Sequence, residues 1–385
     1  MGGSKSNNCG KKFLKPSNPQ SMSNNSSGTT ETAYYHCPPV WVEADPFIGC
    51  QNPPVSKQRE EVFKKSLASG IRVVVSRDGL FVFDFNDWLP RAEMPDLNSD
   101  DILDNSIPPI TSKMLMQNPK FQRFMEVSQQ EVANVYRRVE VMNAHLACLN
   151  TALQTCQKKS WPILQFINAG EYLRVDRGQD EIRRLNLFAS HSPYHAYIEK
   201  FRSTTDTPTE CPTRQLVTIQ TVEESFEILD SIIKSPIPDS LKLVTMLLQS
   251  AKANRDHDFS GSLILSWTVL EKLISIIWDE MLKDNREREE EGMKIDFIDS
   301  KREKKLKGSL YSASTRIEIL SLLNRINMKL YTKLNKIRKI RNVWLHNLGQ
   351  VKSEDASLGL VTSQNLFSKI SLVKISLNIS HQTTF

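Results

Sequence analysis

The sequence predicts a mainly α chain, in which a helical C-terminal domain follows an α+β region carrying a β-hairpin and one long helix. Three observations predict it. Between Ile71 and Phe85 two runs rich in β-branched and aromatic residues, I-R-V-V-V-S and L-F-V-F-D-F, flank R-D-G, and Asp-Gly between such runs is a strong hairpin signal. From Pro119 to about Thr155 large apolar residues such as Phe124, Val135, Met142 and Leu149 recur at helical spacing, and that period marks one face of a helix. After Pro238 the same period returns in several shorter segments separated by polar breaks.

Taken in order, residues 1–55 read as a disordered or extended tail. Met1 to about Thr32 is Ser, Asn, Gly and Lys with few large apolar groups, and such a composition does not offset its ordering entropy by burial. Tyr34 to Val55 adds aromatics and five prolines, the pattern of an extended segment lying against a domain. Residues 56–215 form the α+β domain, to which the sequence assigns no role. Glu60 to Ser69 reads as a short amphipathic helix, then comes the hairpin, then the long helix 119–155. At 1.5 Å per residue that helix is roughly 50 Å long, a length that suits an arm or a platform for a partner. Trp161 to Arg174 reads as another helix, Asp176 to Ile198 is undecided, and the Pro-containing stretch Ser203 to Thr213 marks a boundary.

Residues 216–385 form the helical domain. Thr221 to Lys234 is a helix ended by S-P-I-P, Asp239 or Ser240 caps Leu241 to Asn254, and Ser262 to Lys283 is strongly apolar. Asp284 to Gly308 switches from acidic to basic and reads as a mobile linker. Helices follow at Thr315 to Met328 and Leu330 to Asn347. Ser353 to Leu377 reads as a closing helix, although I-S-L-V-K-I-S-L also alternates like a strand.

Composition narrows the function classes. A chain of 385 residues that is 39% apolar and 24% charged has room for two or three independent cores. The most apolar run, Ser262 to Trp278, carries Glu271 and Lys272 in its middle, and the first residues lack the apolar stretch of a signal peptide. A cytosolic setting without membrane contact is the expectation. The six cysteines contain no C-x-x-C pair, so free thiols are expected rather than a zinc site or disulfides. Other metal candidates are poor. His36, Cys37 and Cys50 lack a fourth ligand at sensible spacing, Pro193 separates His191 from His195, and Asp84, Asp87, Asp96, Asp100, Asp101 and Asp104 fall in a loop where carboxylates are ordinarily solvated. No metal or other cofactor is expected.

The polar residues with the most chemistry lie in Lys336 to Asn347, K-I-R-K-I-R-N-V-W-L-H-N. Ile337, Ile340, Val343, Trp344 and Leu348 are expected to pin one helix face in a core, while Arg338, Asn342 and His346, at i, i+4 and i+8, form a polar stripe on the other. Arg341 is about 140° around the helix from His346 and reaches it only through its long side chain, or across two facing helices. Between Lys301 and Arg341 thirteen Lys or Arg stand against Glu303 and Glu318, a bias that suits a polyanion, although a charge run alone is more often a solvated face. An imidazole can move the proton of a ribose 2′-hydroxyl and a guanidinium can offset charge on a phosphorane, so this set fits phosphodiester cleavage without metal. Glu271, at the edge of its apolar helix, either pairs with Arg338 or Arg341 or is a surface carboxylate.

R-N-V-W-L-H resembles the R-N-x-x-x-H form of the signature of the HEPN superfamily, and S-L-I-L-S-W-T-V-L-E-K-L is similar to the second helix of its Apea-like branch, with a Trp and a Glu at this spacing. The resemblance covers about Pro238 to Ile379. It implies a HEPN-like helical bundle that dimerises and, in many members, a metal-independent endoribonuclease. By position it makes Arg341 the phosphate-binding residue, Asn342 its orienter and His346 the proton-transfer residue. The residues themselves add Glu271 and Arg338 as supporting candidates and, from the basic run, Lys333, Lys336 and Lys339 as candidates for contacting RNA. The expected substrate is tRNA or mRNA, in antiviral defence or as a toxin, with a homodimer and a regulatory protein as partners. A second class stays open: a non-catalytic dimerisation or binding module, or a regulatory subunit of a defence complex, favoured by the surface of the long helix.

Overall fold

A computed structural model describes residues 31–36, 39–46, 48, 54–85, 87–89, 119–161, 164–171, 173–176, 181–183, 214–290 and 293–377. Ten strands and nine helices are found among the described residues. The elements before residue 218 are β1 (Glu31–Tyr35), β2 (Val40–Val42), α1 (Val55–Gln58), β3 (Glu61–Ser66), β4 (Arg72–Ser76), β5 (Leu80–Asp84), α2 (Pro119–Cys156), β6 (Leu173–Asp176), β7 (Glu181–Arg183) and β8 (Gln215–Val217). Then come α3 (Ile219–Ile233), α4 (Ser240–Arg255), α5 (Phe259–Asp284), β9 (Glu287–Glu290), β10 (Met293–Asp296), α6 (Ser300–Lys307), α7 (Ala313–Leu322), α8 (Met328–Asn347) and α9 (Ser353–Ser371). The chain is mainly α with an α+β N-terminal region, as its periodicity implies.

The hairpin forms where Asp-Gly places it. β4 and β5 pair antiparallel, Val73 opposite Phe83 and Val75 opposite Phe81. Gly79 closes the turn at φ +79°, and a Cβ there would lie 2.7 Å from Cγ2 of Val40, so only glycine fits both the left-handed backbone and the neighbour. The hairpin grows into a six-stranded antiparallel sheet of order β3-β4-β5-β1-β6-β7. Two expectations are corrected here. Glu31 to Tyr35 is not part of a tail but an interior strand buried along its whole length, because A-Y-Y supplies side chains to both faces of the sheet. Glu61 to Ser66 is an edge strand, not a helix; pairing with β4 overrides an ambiguous six-residue pattern. The expected helix at Trp161 is likewise absent among the described residues, where the chain is irregular up to β6.

One sheet face, with Tyr34, Val73, Val75, Phe81 and Phe83, packs on α2 and α3; Ala33, Tyr35, Val74, Leu80 and Val82 form a smaller cluster on the other. α2 is about 57 Å long at 1.5 Å per residue. It is mostly exposed before Asn134 and mostly buried after it. Its buried half packs on α3 and α4, and one continuous core runs from the sheet to the last helix. The chain therefore shows no break in packing at residues 215–216, where the sequence suggested a boundary.

α5 is the centre of the helical part, in contact with α4, α7, α8 and α9. It is long and apolar enough to cross a membrane by length and composition, yet Leu263, Trp267, Leu270, Ile274 and Trp278 are buried among these neighbours. Asp258 caps it by accepting from the Gly261 amide. Asp284 to Gly308, expected as a mobile linker, instead holds the β9–β10 hairpin and α6, which Asp299 caps. α9 ends at Ser371, and Val373 to Leu377 continues without regular secondary structure, Ile375 and Leu377 buried and Lys374 exposed, so the alternation of I-S-L-V-K-I-S-L shows only as burial in its second half.

Candidate functional site

The site expected from the sequence sits at the C-terminal half of α8. Asn327 starts this helix by accepting from the Leu330 amide, and Leu348, at φ +49°, ends it. Leu334 and Ile337 are fully buried against α5 and α9, with Leu330, Ile340 and Trp344 partly buried beside them. The inward stripe therefore runs Leu330, Leu334, Ile337, Arg341, Trp344 at spacings of four, three, four and three. Val343 and Leu348, expected in the core, are instead exposed, at 53% and 82%.

That register gives Arg341 an inward root and an outward head. Its Nε is buried without a hydrogen-bond partner, while Nη1 donates to Oδ1 of Asn342 at 3.1 Å. The guanidinium is thus turned toward its sequence neighbour Asn342, and no contact between Arg341 and His346 occurs among the described residues. His346 is exposed and has no hydrogen-bond partner among the described residues. Arg338 donates from Nε to Asn335 Oδ1 at 3.4 Å. Of the three lysines, Lys339 is exposed, Lys333 half-exposed, and Lys336 pairs with Asp355 of α9 at 3.5 Å. Glu271 does not take the role of a partner. It is exposed and forms no ion pair among the described residues, while its neighbour Lys272 pairs with Asp239, so the surface alternative describes it.

Uncovered apolar side chains lie near this end of the helix. Val343, Leu345 and Leu348 are exposed at the C-terminal end of α8, while exposed Leu322, Leu323 and Met328 lie at its opposite end, by the α7–α8 turn. Large apolar groups exposed together beside polar ones commonly mark a surface that meets another molecule.

A second polar constellation was invisible in the sequence. Tyr34 of β1, His145 of α2 and Ser225 of α3 form a chain inside the core, with Tyr34 Oη 2.7 Å from His145 Nδ1 and His145 Nε2 3.0 Å from Ser225 Oγ. The Ser225 hydroxyl donates to the Val222 carbonyl at 2.6 Å. Its Oγ therefore accepts from Nε2–H, and Nδ1 accepts from Tyr34. This is the neutral imidazole, and burial lowers its pKa to about 3. Serine, histidine and tyrosine in sequence look like a nucleophile relay, but Phe81, Phe83 and Phe226 enclose the ring and all three residues are buried. The arrangement ties sheet, α2 and α3 together. Nothing in the sequence could have found it, because its members are 111 and 80 positions apart.

Of the metal candidates, Asp84 and Asp87 both lie beside Arg72, and the His36 ring lies tilted against Trp161. Cys37, Cys50, Asp96, Asp100, Asp101, Asp104, His191 and His195 lie outside the described residues. No group of three or more His, Cys, Asp or Glu suited to a metal ion occurs among the described residues. Cys148 is a free buried thiol that burial pushes above its ordinary pKa, and Cys156 is free and exposed. Comparison of the chain with protein-family models, with curated proteins and with solved structures finds no match.

Proposed function

We propose that the chain is a metal-independent endoribonuclease of the HEPN type, acting on RNA as a dimer in the cytosol, in defence or as a toxin. The observation that carries this reading is the head of Arg341, hydrogen-bonded to Asn342 on the face where His346 is open to solvent. Arg341 and Asn342 would hold a phosphate. His346 would take the proton of the 2′-hydroxyl as its oxygen attacks phosphorus. The P–O5′ bond then breaks, and a proton passes to the departing 5′-oxygen, leaving a 2′,3′-cyclic phosphate and a 5′-hydroxyl. In-line attack requires a flexible sugar, so single strands and the exposed loops of tRNA or mRNA are the substrates. Lys333 and Lys339 extend the positive surface along the same helix. The uncovered Val343, Leu345 and Leu348 support a second copy packing beside the site, which would bring two Arg-Asn-His sets to one cleft.

A non-catalytic dimerisation or docking module, serving as the regulatory subunit of a defence complex, is the second reading, and the same exposed apolar residues favour it. Purified full chain incubated with single-stranded RNA in EDTA distinguishes the two. The nuclease reading expects fragments ending in a cyclic phosphate, and none from His346→Ala. Intact RNA with the wild type, or the same fragments from the variant, would leave the docking module.

A further inference from the structure

Five backbone groups in three consecutive residues near the end of the described chain are held entirely by side chains. Beyond α9, Val373 to Leu377 has no regular secondary structure and runs back along that helix, the two steps from Ile375 to Leu377 passing from Ser368 to Gln364, about 6 Å of helix axis and close to the span of an extended chain. The Ile375 amide donates to Ser368 Oγ at 3.1 Å. Leu377 makes a reciprocal pair with the Gln364 amide, its N–H donating at 3.2 Å and its carbonyl accepting at 3.5 Å. Ser376 does the same with the Thr151 hydroxyl of α2, at 3.1 and 3.2 Å, that hydroxyl proton being shared with the Ala147 carbonyl. The Ser376 hydroxyl adds a bond to Gln154 Oε1 at 2.9 Å. Ile375 and Leu377, two apart, are buried, while Lys374 between Val373 and Ile375 is exposed. An extended chain read through its backbone, with alternate side chains in the core, is how peptide-binding grooves take a ligand. The connection to α9 is a single left-handed residue, Leu372, at φ +61° and 90% exposed, so the hinge contributes almost nothing to packing.

We infer that the cleft between α2 and α9 is a binding site for an extended peptide with apolar residues two apart and a small polar residue between them, and that residues 373–377 occupy it in cis. The occupant in trans is a partner protein's segment of the same pattern. It enters when the chain's own strap swings out about Leu372. Because α2 packs on the sheet and α9 on α8, occupancy joins the N-terminal region to the helix that bears Arg341 and His346. The inference stands on these contacts alone and does not need the nuclease reading.

The test uses the full chain and a fluorescent peptide spanning Ser371 to Leu377. In an Ile375→Asp/Leu377→Asp variant, whose strap is released, the peptide is expected to bind saturably. Binding to the wild type is expected to be at least about tenfold weaker, because the tethered strap competes at high effective concentration. Adding Thr151→Val and Gln364→Leu removes binding, as does Asp at both apolar positions of the peptide. Absence of saturable binding, or equal binding of the Asp peptide, overturns the inference. A dimer formed by strap exchange between copies would give the cleft to a second copy and also overturns it. Should the released variant lose its circular dichroism, hydrogen exchange of the wild type decides. The Ser376 and Leu377 amides are expected to exchange at least about a hundredfold faster than those of Leu366 and Phe367. Equal protection would show that the strap leaves only on global unfolding, and the site would be withdrawn.

Discussion

His145 offers a prediction whose size follows from its surroundings. Its ring is neutral, sealed between Tyr34, Phe81, Phe83 and Phe226, with a pKa lowered to about 3 by burial and, secondarily, by His36. In the unfolded chain an imidazole titrates near 6.5. Below that pH the unfolded state binds a proton that the folded state refuses, so stability is whole above about 6.5 and falls as pH drops toward 3. The slope of this contribution is about 1.4 kcal/mol per pH unit, or about 2 kcal/mol between pH 6.5 and 5. In that window ordinary carboxylates remain ionised. The perturbation is His145→Gln, whose amide can still accept from Tyr34 and donate to Ser225 but does not titrate. Urea unfolding followed by circular dichroism at pH 7, 6, 5.5 and 5 gives the two slopes. Lost packing against Phe226 lowers the variant by a constant at every pH. Other titrating groups, including Glu140, whose carboxyl burial pushes up, cancel in the difference. Equal slopes in wild type and variant would show that His145 is not held neutral by burial, and the account of the relay would fail.

Other outcomes follow from particular contacts. Gly79→Ala places a Cβ 2.7 Å from Val40 Cγ2 at φ +79° and is expected to cost at least about 1 kcal/mol in urea unfolding, more than its gain in chain entropy. Glu271→Gln removes a charge that no described residue pairs with, so stability within about 0.5 kcal/mol of wild type and unaltered RNA cleavage are expected. Replacing Lys333 and Lys339 together by Ala is expected to reduce the slope of log affinity for single-stranded RNA against log salt by about 1.4, near 0.7 for each lost phosphate contact. Filter binding over a salt series reads this directly.

Long-range pairing, more than local pattern, separates what was legible in the sequence from what was not. The β4–β5 hairpin, α2 and α8 declared themselves because each carries an uninterrupted period, and the hairpin also a local turn at Asp78-Gly79, whereas the Asn327 cap of α8 lay inside the helix read as Thr315 to Met328. β1 and β3 were lost among prolines and lysines, since their strand character comes from neighbours distant in the chain. Spacing singled out Arg341, Asn342 and His346 as candidates, but spacing could not say that Arg341 belongs to the inward stripe or that Val343 and Leu348 are uncovered. Those facts depend on how α8 rotates against α5 and α9. Glu271 stayed undecided between a partner of arginine and a surface carboxylate for the same reason: on a helix apolar nearly all round, the sequence does not reveal which edge remains wet.

The central claim is that two copies of α8 meet beside His346 and cut RNA together. Specific cleavage activity measured over a range of chain concentrations, with sedimentation of the same samples, tests it most directly. The account predicts that activity per chain falls as the dimer dissociates, and that Val343→Asp/Leu348→Asp abolishes both dimer and cleavage while leaving the helical spectrum intact. A monomer that cleaves at the full rate, or a stable dimer that leaves RNA untouched, would contradict it.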